Sequence, residues 1–329
     1  MKRLLLVLVI AAIAGVAYCV LVPYGPSSET FVDIPAGTPA RRVAAMLKQH
    51  GIVRSDLLFD AVRLVKGGTL KAGEYRFDHP MKMAEVYTKL QRGEVYTVSV
   101  TIPEGSNLFD IAKRMQAAGL GTKESFLTAA HANVKLIADL DPGAPSLEGY
   151  LFPDTYHFSR HATPLQMQEA MVRRFRQVAA SLGLRGEDHR IVTIASLIER
   201  ETPIAAERPL VASVFVNRLA KGMPLMTDPS VIYAALLDGR YRGTIYASDL
   251  QSDSPYNTYK HAGLPPGPIC SPGADSLKAA MHPAQTDYLY FVAASANPSG
   301  KSLFSSTLEQ HAHDVAAYRK SLHEAGSRQ

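Results

Sequence analysis

The chain has 329 residues, of which 47% are hydrophobic and 20% charged. This length is typical of about two domains, and this composition excludes a disordered chain. The net charge of +5 is spread along the sequence without a basic block, so the charge pattern gives no indication of nucleic acid binding. The two cysteines, Cys19 and Cys270, are too few and too far apart for a disulfide framework or a zinc cluster.

A long apolar segment stands at the start of the chain. Lys2 and Arg3 precede an uncharged run of 19 residues from Leu4 to Val22, close to the ~20 residues that cross a bilayer core. Because the cations precede the run, we expect residues 1–24 to form a cytoplasmic stub and a transmembrane helix, with the rest of the chain on the outer side. The alternative is a signal peptide that is cleaved.

An internal repeat follows. Val32–Gly37 and Val100–Gly105 align at an offset of 68 residues, and each copy is typical of a strand, a Pro/Gly turn, an amphipathic helix and a glycine stop. Three further elements are predicted between the two helices: a strand at Lys71–Phe77, a helix at Met83–Leu90 and a strand at Tyr96–Ile102. The sequence therefore predicts a small α+β domain.

The composition changes at about Ser146 towards long helical patterns. Helices are predicted at Gln166–Leu182, Ile191–Thr202 and Leu210–Leu219. Proline-rich loops follow them, and such loops commonly build a site on a helical scaffold. We therefore expect the second domain to contain helices packed on a small sheet, and the whole chain to be of the α+β class.

Two acidic residues at the end of the Ile191–Thr202 helix are candidates for catalysis. At about 100° per residue, Glu201 lies within the apolar arc and Glu199 just beyond its other end, while Thr193 and Ser196 lie on the opposite side. Partial desolvation would raise the pKa of such a carboxyl towards the range of a general acid. The alternative is that both glutamates are helix-end hydrogen-bonding groups or ion-pair partners of an arginine: Arg200, Arg208 or Arg218.

Other catalytic motifs do not occur. The sequence contains no Gly-x-Ser-x-Gly elbow, no Ser-x-x-Lys and no His-Glu-x-x-His, so neither a serine nucleophile nor a metal site is predicted. We expect no cofactor.

Several ordered motifs resemble the YceG-like endolytic murein transglycosylases. They are Glu148–Tyr156, Ala195–Thr202, Glu207–Arg208 with Val211–Leu219, Thr227–Tyr233, Tyr256–Tyr259 and Gly263–Ile269. The resemblance covers essentially the whole chain. It departs at Arg200, where the family more commonly has lysine, and at Met226, where we expect a glutamine.

The resemblance implies an α+β protein of three parts. These are the membrane segment at 1–24, a LysM-like subdomain at 28–98 and a catalytic domain at 99–329. It further implies an inner-membrane protein, with a cytoplasmic N-terminus and a periplasmic catalytic domain. Its partners would be peptidoglycan glycan strands, the membrane and peptidoglycan synthases.

The resemblance also implies the reaction and its catalytic residue. The enzyme would cut MurNAc–GlcNAc bonds within nascent strands, leave 1,6-anhydro-muramyl ends and so terminate elongation. The family's catalytic glutamate falls on Glu201. A lytic reaction suits a single acid, because ordinary glycoside hydrolysis generally needs two carboxyls.

The remaining site residues have more than one interpretation. Glu199 and Glu148 are candidates for a supporting role, and the candidates for substrate contact are Asp154, Asp228, Tyr256, Asn257 and Tyr259. Structural hydrogen bonds at helix ends and turns are the alternative for these residues.

Two other functions stay open. One is a hydrolase in which Glu201 is paired with Glu148, Asp154 or Asp228; the other is a membrane-tethered glycan-binding scaffold without catalysis.

Overall fold

The structure is a computed structural model that describes residues 2–184, 188–295, 297 and 300–326. Residue 1 and residues 327–329, at the outer limits of the predicted domains, lie outside the described residues. The chain divides into two compact units, Met1–Val98 and Ser99–Gln329.

The first unit begins with a long apolar helix and continues as a small α+β fold. Its elements are α1 (Lys2–Leu21), β1 (Thr30–Ile34), α2 (Ala40–Gln49), α3 (Asp56–Lys66), β2 (Gly73–Phe77) and α4 (Met83–Arg92). The strands β1 and β2 are antiparallel, with Thr30 opposite Phe77 and Ile34 opposite Gly73. Their buried faces and the apolar faces of the helices form one core around Phe59, Tyr75 and Tyr87.

Helix α1 has the length and composition of a membrane span. Its mean hydropathy is 2.9, and none of it is buried within the chain. Among the described residues it is the single helix that meets these criteria, and it fits a single-pass anchor.

The second unit is mainly helical, with two small sheets. Its elements are β3 (Val98–Thr101), α5 (Leu108–Ala117), α6 (Lys123–Ala132), β4 (Thr155–Phe158), α7 (Pro164–Leu182), α8 (His189–Glu201), α9 (Arg208–Ala220), α10 (Asp228–Leu237), α11 (Ala247–Leu250), α12 (Ala274–Met281), β5 (Tyr290–Ala293), β6 (Ser302–Ser305) and α13 (Leu308–Gly326). Strand β3 pairs with β4, and β5 pairs antiparallel with β6. The mixed α+β class is confirmed, and so are the three helices predicted in this unit.

The sequence repeat is also a repeat of structure. Both copies form a strand, a turn and a helix, namely β1 with α2 and β3 with α5. The turn glycines Gly37 and Gly105 have φ values of 79° and 74°, a left-handed conformation that side-chain-bearing residues rarely adopt. This shared requirement explains why both turns keep the glycine of the Ile-Pro-x-Gly pattern.

Helix α8 lies at the centre of the second unit. It packs against α9, α10 and α12, and every residue from Val192 to Ile198 is buried. The side with Thr193 and Ser196 is therefore covered as well. There the Ser196 hydroxyl accepts a hydrogen bond from the backbone N–H of Ile269 at 3.0 Å, which attaches the proline-rich loop to the helix.

Candidate active site

The pocket of interest lies at the C-terminal end of α8. It has a volume of about 420 Å³. Its described lining residues are Glu201, Arg218, Leu225, Met226, Thr227, Asp228, Tyr259, Tyr290, Phe291, Leu308 and His311. Three of the residues singled out in the sequence, Glu201, Asp228 and Tyr259, therefore line the same pocket.

Glu201 is the last residue of α8 and is partly buried. The pKa of its carboxyl is raised to about 7, chiefly by burial and in addition by the charge of Asp228, while the Arg218 guanidinium opposes both effects. Among the residues that the structure describes, none donates a hydrogen bond to this carboxyl. Near neutral pH, a substantial fraction of Glu201 is thus protonated, and its carboxyl is free to donate a proton.

A buried glutamate fixes the end of α8. Glu207 accepts hydrogen bonds from the Thr202 hydroxyl at 3.3 Å and from the backbone N–H of Ser302 at 2.7 Å. These contacts join the residue after Glu201 to the start of β6. The catalytic candidate and the β5–β6 hairpin are therefore held in a defined relation.

Arg218 supplies a fixed positive charge in the pocket. Its Nε donates to the carbonyl of Leu289 at 2.6 Å, and its Nη1 donates to the carbonyl of Leu225 at 2.8 Å. The guanidinium also lies over the ring of Tyr290, 5.3 Å from the centroid. Because neutral carbonyls and a ring hold it, its positive charge is not cancelled by these contacts and remains available to an anionic group in the pocket.

Asp228 is the first residue of α10. It accepts a hydrogen bond from the Tyr259 hydroxyl at 2.6 Å. The preceding Thr227 is buried, and its backbone N–H donates to the hydroxyl of Thr258 at 2.9 Å. These contacts connect the Thr227–Tyr233 motif to the Tyr256–Tyr259 motif and orient both polar groups.

Met226 occupies a strained backbone position in the same wall. It is the one non-glycine residue with a positive φ, 54°, in the part of the chain that the structure describes. Its backbone N–H donates to the Thr258 carbonyl at 3.1 Å, and its side chain is half exposed. Such strain persists where the surrounding structure enforces it, and it is frequent at functional sites.

Another part of the pocket lining comes from the C-terminal part of the chain. Tyr290 and Phe291 lie on β5, while Leu308 and His311 lie on α13. The rings of Tyr290 and His311 are stacked with centroids 5.0 Å apart. Burial and the nearby Arg218 lower the pKa of His311, so this wall presents mainly neutral aromatic surface at neutral pH.

Glu199 has a different environment from Glu201. Its Oε1 accepts from Arg208 Nη2 at 3.1 Å, and both side chains are less than a tenth exposed. Its Oε2 accepts from the backbone N–H of Gly273 at 2.9 Å, at the start of α12. Glu199 thus forms an ion pair and binds the start of a helix, as in the structural alternative considered from the sequence.

Glu148 is buried elsewhere in the second unit. It accepts hydrogen bonds from the backbone N–H groups of Leu108 at 2.9 Å and Gly149 at 3.3 Å. Its pKa is raised to about 7 by burial, although these two hydrogen bonds and one from the Tyr233 hydroxyl lower it. It is not among the described lining residues of the pocket, and it holds the first turn of α5.

Three other candidates make contacts away from the pocket. Asp154 pairs with Arg174 Nε at 2.6 Å. Tyr256 packs edge-on against Tyr233, with ring centroids 5.1 Å apart. The fully buried Asn257 donates to the carbonyl of Ser252 at 2.8 Å. Neither these three nor Glu199 belongs to the described lining of the pocket.

Several lining residues were not predicted from the sequence. Tyr290, Phe291, Leu308 and His311 lie outside every motif that we noted, and Arg218 was considered only as an ion-pair partner. Among these residues, only Arg218 had a sequence signal that could have identified it as a site residue, namely its position within the Val211–Leu219 motif. No group of three metal-ligating side chains occurs among the described residues.

Comparisons with known proteins agree with this arrangement. The model of the YceG-like family matches residues 32–317. An endolytic murein transglycosylase of Bacillus subtilis (strain 168) is 36% identical over 315 residues, which cover 88% of this chain and 86% of the relative. One of Streptococcus pneumoniae (strain D39) is 31% identical over 336 residues, which cover 91% of this chain and 60% of the relative.

A solved structure is also similar. The crystal structure of a YceG-like protein from Listeria monocytogenes aligns with a TM-score of 0.57 at 33% identity, over 88% of this chain and 99% of that one. On sequence and structure alike, this chain belongs to the YceG-like family.

Proposed function

We propose that this protein is an endolytic lytic transglycosylase that cleaves peptidoglycan glycan strands internally. The observation that carries the proposal is the state of Glu201, whose carboxyl lines an open pocket without a hydrogen-bond donor from the described chain and has a pKa of about 7. The names of the relatives from Bacillus subtilis and Streptococcus pneumoniae support the same activity.

A single carboxyl can perform both proton transfers of this reaction. Protonated Glu201 donates its proton to the glycosidic oxygen, and the bond from that oxygen to C1 of the muramyl residue breaks. The resulting carboxylate accepts the proton of the C6 hydroxyl as that oxygen bonds to C1. The product ends in a 1,6-anhydro ring, and Glu201 is protonated again, so no water is consumed.

The other pocket residues have roles that follow from their chemistry. Because they line the pocket, Asp228 and Tyr259 would bind sugar hydroxyl or acetamido groups, and Arg218 would bind an anionic substituent. Glu199 and Glu148 support the site by holding α8 and α5. For Asp154, Tyr256 and Asn257, we propose that they shape the surrounding loops.

A hydrolase is the second candidate because Asp228 lines the same pocket as Glu201. In that reaction Asp228 would activate a water or attack C1. Mass spectrometry of glycan ends after digestion of purified strands distinguishes the two reactions. Lytic cleavage yields anhydro ends that are lighter by one water than the reducing ends of hydrolysis, and predominantly reducing ends would overturn our assignment.

The pH dependence of cleavage should report the pKa of Glu201. Because the free enzyme needs Glu201 protonated, kcat/KM should fall by about tenfold per pH unit above about pH 7. The charge of Asp228 raises this pKa, so Asp228→Asn should move the descending limb to lower pH. A limb that stays in place, or moves to higher pH, would contradict this account of the electrostatics.

The proposed location follows from α1. We propose that α1 anchors the protein in the inner membrane, with the N-terminus in the cytoplasm and the pocket in the periplasm. Such an anchor would hold the enzyme at the membrane, where we propose that peptidoglycan synthases are its partners. We also propose that the first unit is LysM-like, on the basis of two helices connecting the paired strands β1 and β2.

A further inference from the structure

Helix α3 of the first unit has an apolar face that nothing in the described chain covers. Leu57, Leu64 and Val65 are 79%, 69% and 88% exposed. With the exposed Ala61, they lie within an arc of about 100° on the helix. The other side of α3, which includes Phe59, packs into the core.

The start of α3 is attached to the end of α1. Arg54, which stands just before α3, donates hydrogen bonds to the carbonyls of Val22 at 2.8 Å and Pro23 at 3.3 Å. Its guanidinium also lies over two rings, 4.5 Å from the centroid of Tyr18 and 4.6 Å from that of Tyr24. The chain that leaves α1 is therefore held against the start of α3.

The end of α3 lies near the same place. Lys66 donates from Nζ to the Ala84 carbonyl at 3.5 Å, in the first turn of α4. The start of α4 follows Met81, whose backbone pairs with that of Tyr24. Both ends of α3 are thus connected to the segment where α1 ends, and α1 itself packs against α3 and α4.

The length of the apolar run sets the depth of this segment in a bilayer. At ~1.5 Å per residue, the 19 residues from Leu4 to Val22 span about 28 Å, slightly less than the ~30 Å of the hydrocarbon core. Lys2 and Arg3 must remain at the cytoplasmic surface, so Val22 can lie no farther out than the opposite interface. Arg54 and α3 are then drawn to the depth of the lipid headgroups.

We propose that the exposed face of α3 lies in the outer leaflet of the membrane that α1 crosses. This inference rests on the membrane anchoring proposed above. Leu57, Leu64 and Val65 would contact acyl chains, while Arg54 and Lys66 meet anionic headgroups. The first unit would then have two attachments to the bilayer and a fixed orientation on it.

The chain contains no tryptophan, so a single introduced tryptophan reports its own depth. Leu64→Trp places it on the α3 face. Ala36→Trp is the matched exposed control, in the turn after β1 at the end of the β1–β2 pair that is away from Tyr24. Ile13→Trp reports from α1. Each full-length variant is reconstituted in phosphatidylethanolamine and phosphatidylglycerol vesicles, with and without acyl-brominated lipid.

We expect brominated lipid to remove most of the emission of Leu64→Trp and Ile13→Trp, and aqueous acrylamide to quench chiefly Ala36→Trp. If Ile13→Trp responds to brominated lipid but Leu64→Trp behaves like Ala36→Trp, the proposal for α3 is wrong and the anchor stands. If Ile13→Trp does not respond, the anchor and the α3 proposal both fail. Equal lipid quenching of Ala36→Trp and Leu64→Trp would also overturn a contact specific to α3.

Discussion

Glu201→Gln should remove nearly all strand cleavage while the protein stays folded. A positioned general acid contributes roughly 10²–10⁴-fold to the rate, and the loss should reach or exceed this range because the same carboxyl also serves as the base. Glutamine preserves the size of the side chain but can neither donate nor accept the proton. The measurement is the yield of anhydro ends from purified glycan strands at equal enzyme concentration.

The stability of this variant separates a catalytic from a structural role. The folded-state pKa of Glu201, about 7, lies above the ordinary value of 4.5, so between these values the folded state binds more protons than the unfolded state. The free energy of unfolding therefore falls as the pH rises through this window. Glutamine does not ionise, so the melting temperature of Glu201→Gln at pH 8 should equal or exceed that of the parent protein.

Glu199→Gln is the matched control, because the two acids lie on one helix about 160° apart. It should retain cleavage below its melting temperature, with the same descending pH limb. A well-folded Glu201→Gln protein with near-normal cleavage would refute the assignment of the acid. So would a Glu199→Gln protein that stays folded but loses cleavage to the same extent.

Much of the fold could be predicted because short-range sequence patterns determine most of its helices and strands. The repeat, the apolar run and the helical periodicities depend on neighbours within about one turn or one strand. They predicted β1, α2, β3 and α5, and the helices α7, α8 and α9, to within a few residues. The strand predicted over Tyr96–Ile102 is shorter, Val98–Thr101. Its predicted first residue, Tyr96, donates its backbone N–H to the carbonyl of Glu74 on β2, a distant residue that the local pattern does not reveal.

The site was less accessible to sequence reasoning because its walls come from distant segments. Glu201, Asp228 and Tyr259 stand in recognisable motifs, but Tyr290 and His311 reach the pocket only when β5 and α13 fold back. The environment of α8 also depends on distant residues. A helical wheel assigns Thr193 and Ser196 to a polar side, whereas the loop at Ile269 covers that side and satisfies Ser196 with a hydrogen bond.

The same distinction explains the two glutamates. Periodicity placed both acids beside apolar positions and could not separate them. The separation comes from Arg208 and Gly273, which bind the carboxylate of Glu199 and provide no such contacts to Glu201. A partner that lies 74 residues away in sequence, as Gly273 does, cannot be inferred from the pattern of one helix.

Glu199→Gln should have the largest effect on stability among the variants considered. The substitution removes the negative charge of a buried ion pair. The positive charge of Arg208 then stays buried without the carboxylate that neutralises it. Breaking such a pair costs about 3–5 kcal/mol, and the lower end is expected because glutamine can still accept one hydrogen bond. For a unit of this size, about 3 kcal/mol corresponds to a fall of roughly 6–12 °C in melting temperature.

A second substitution tests the cause of that loss. Replacing Arg208 as well, in Glu199→Gln/Arg208→Met, removes the uncompensated charge and should recover part of the lost stability, since a buried pair can often be exchanged for apolar side chains at little net cost. Glu104→Gln is the exposed control. Its carboxylate lies 3.9 Å from Arg208 and is 51% exposed, so it should change the free energy of unfolding by less than about 1 kcal/mol. If the double variant is less stable than Glu199→Gln alone, the stabilising contact of Glu199 is the one to Gly273 at α12 and not the ion pair.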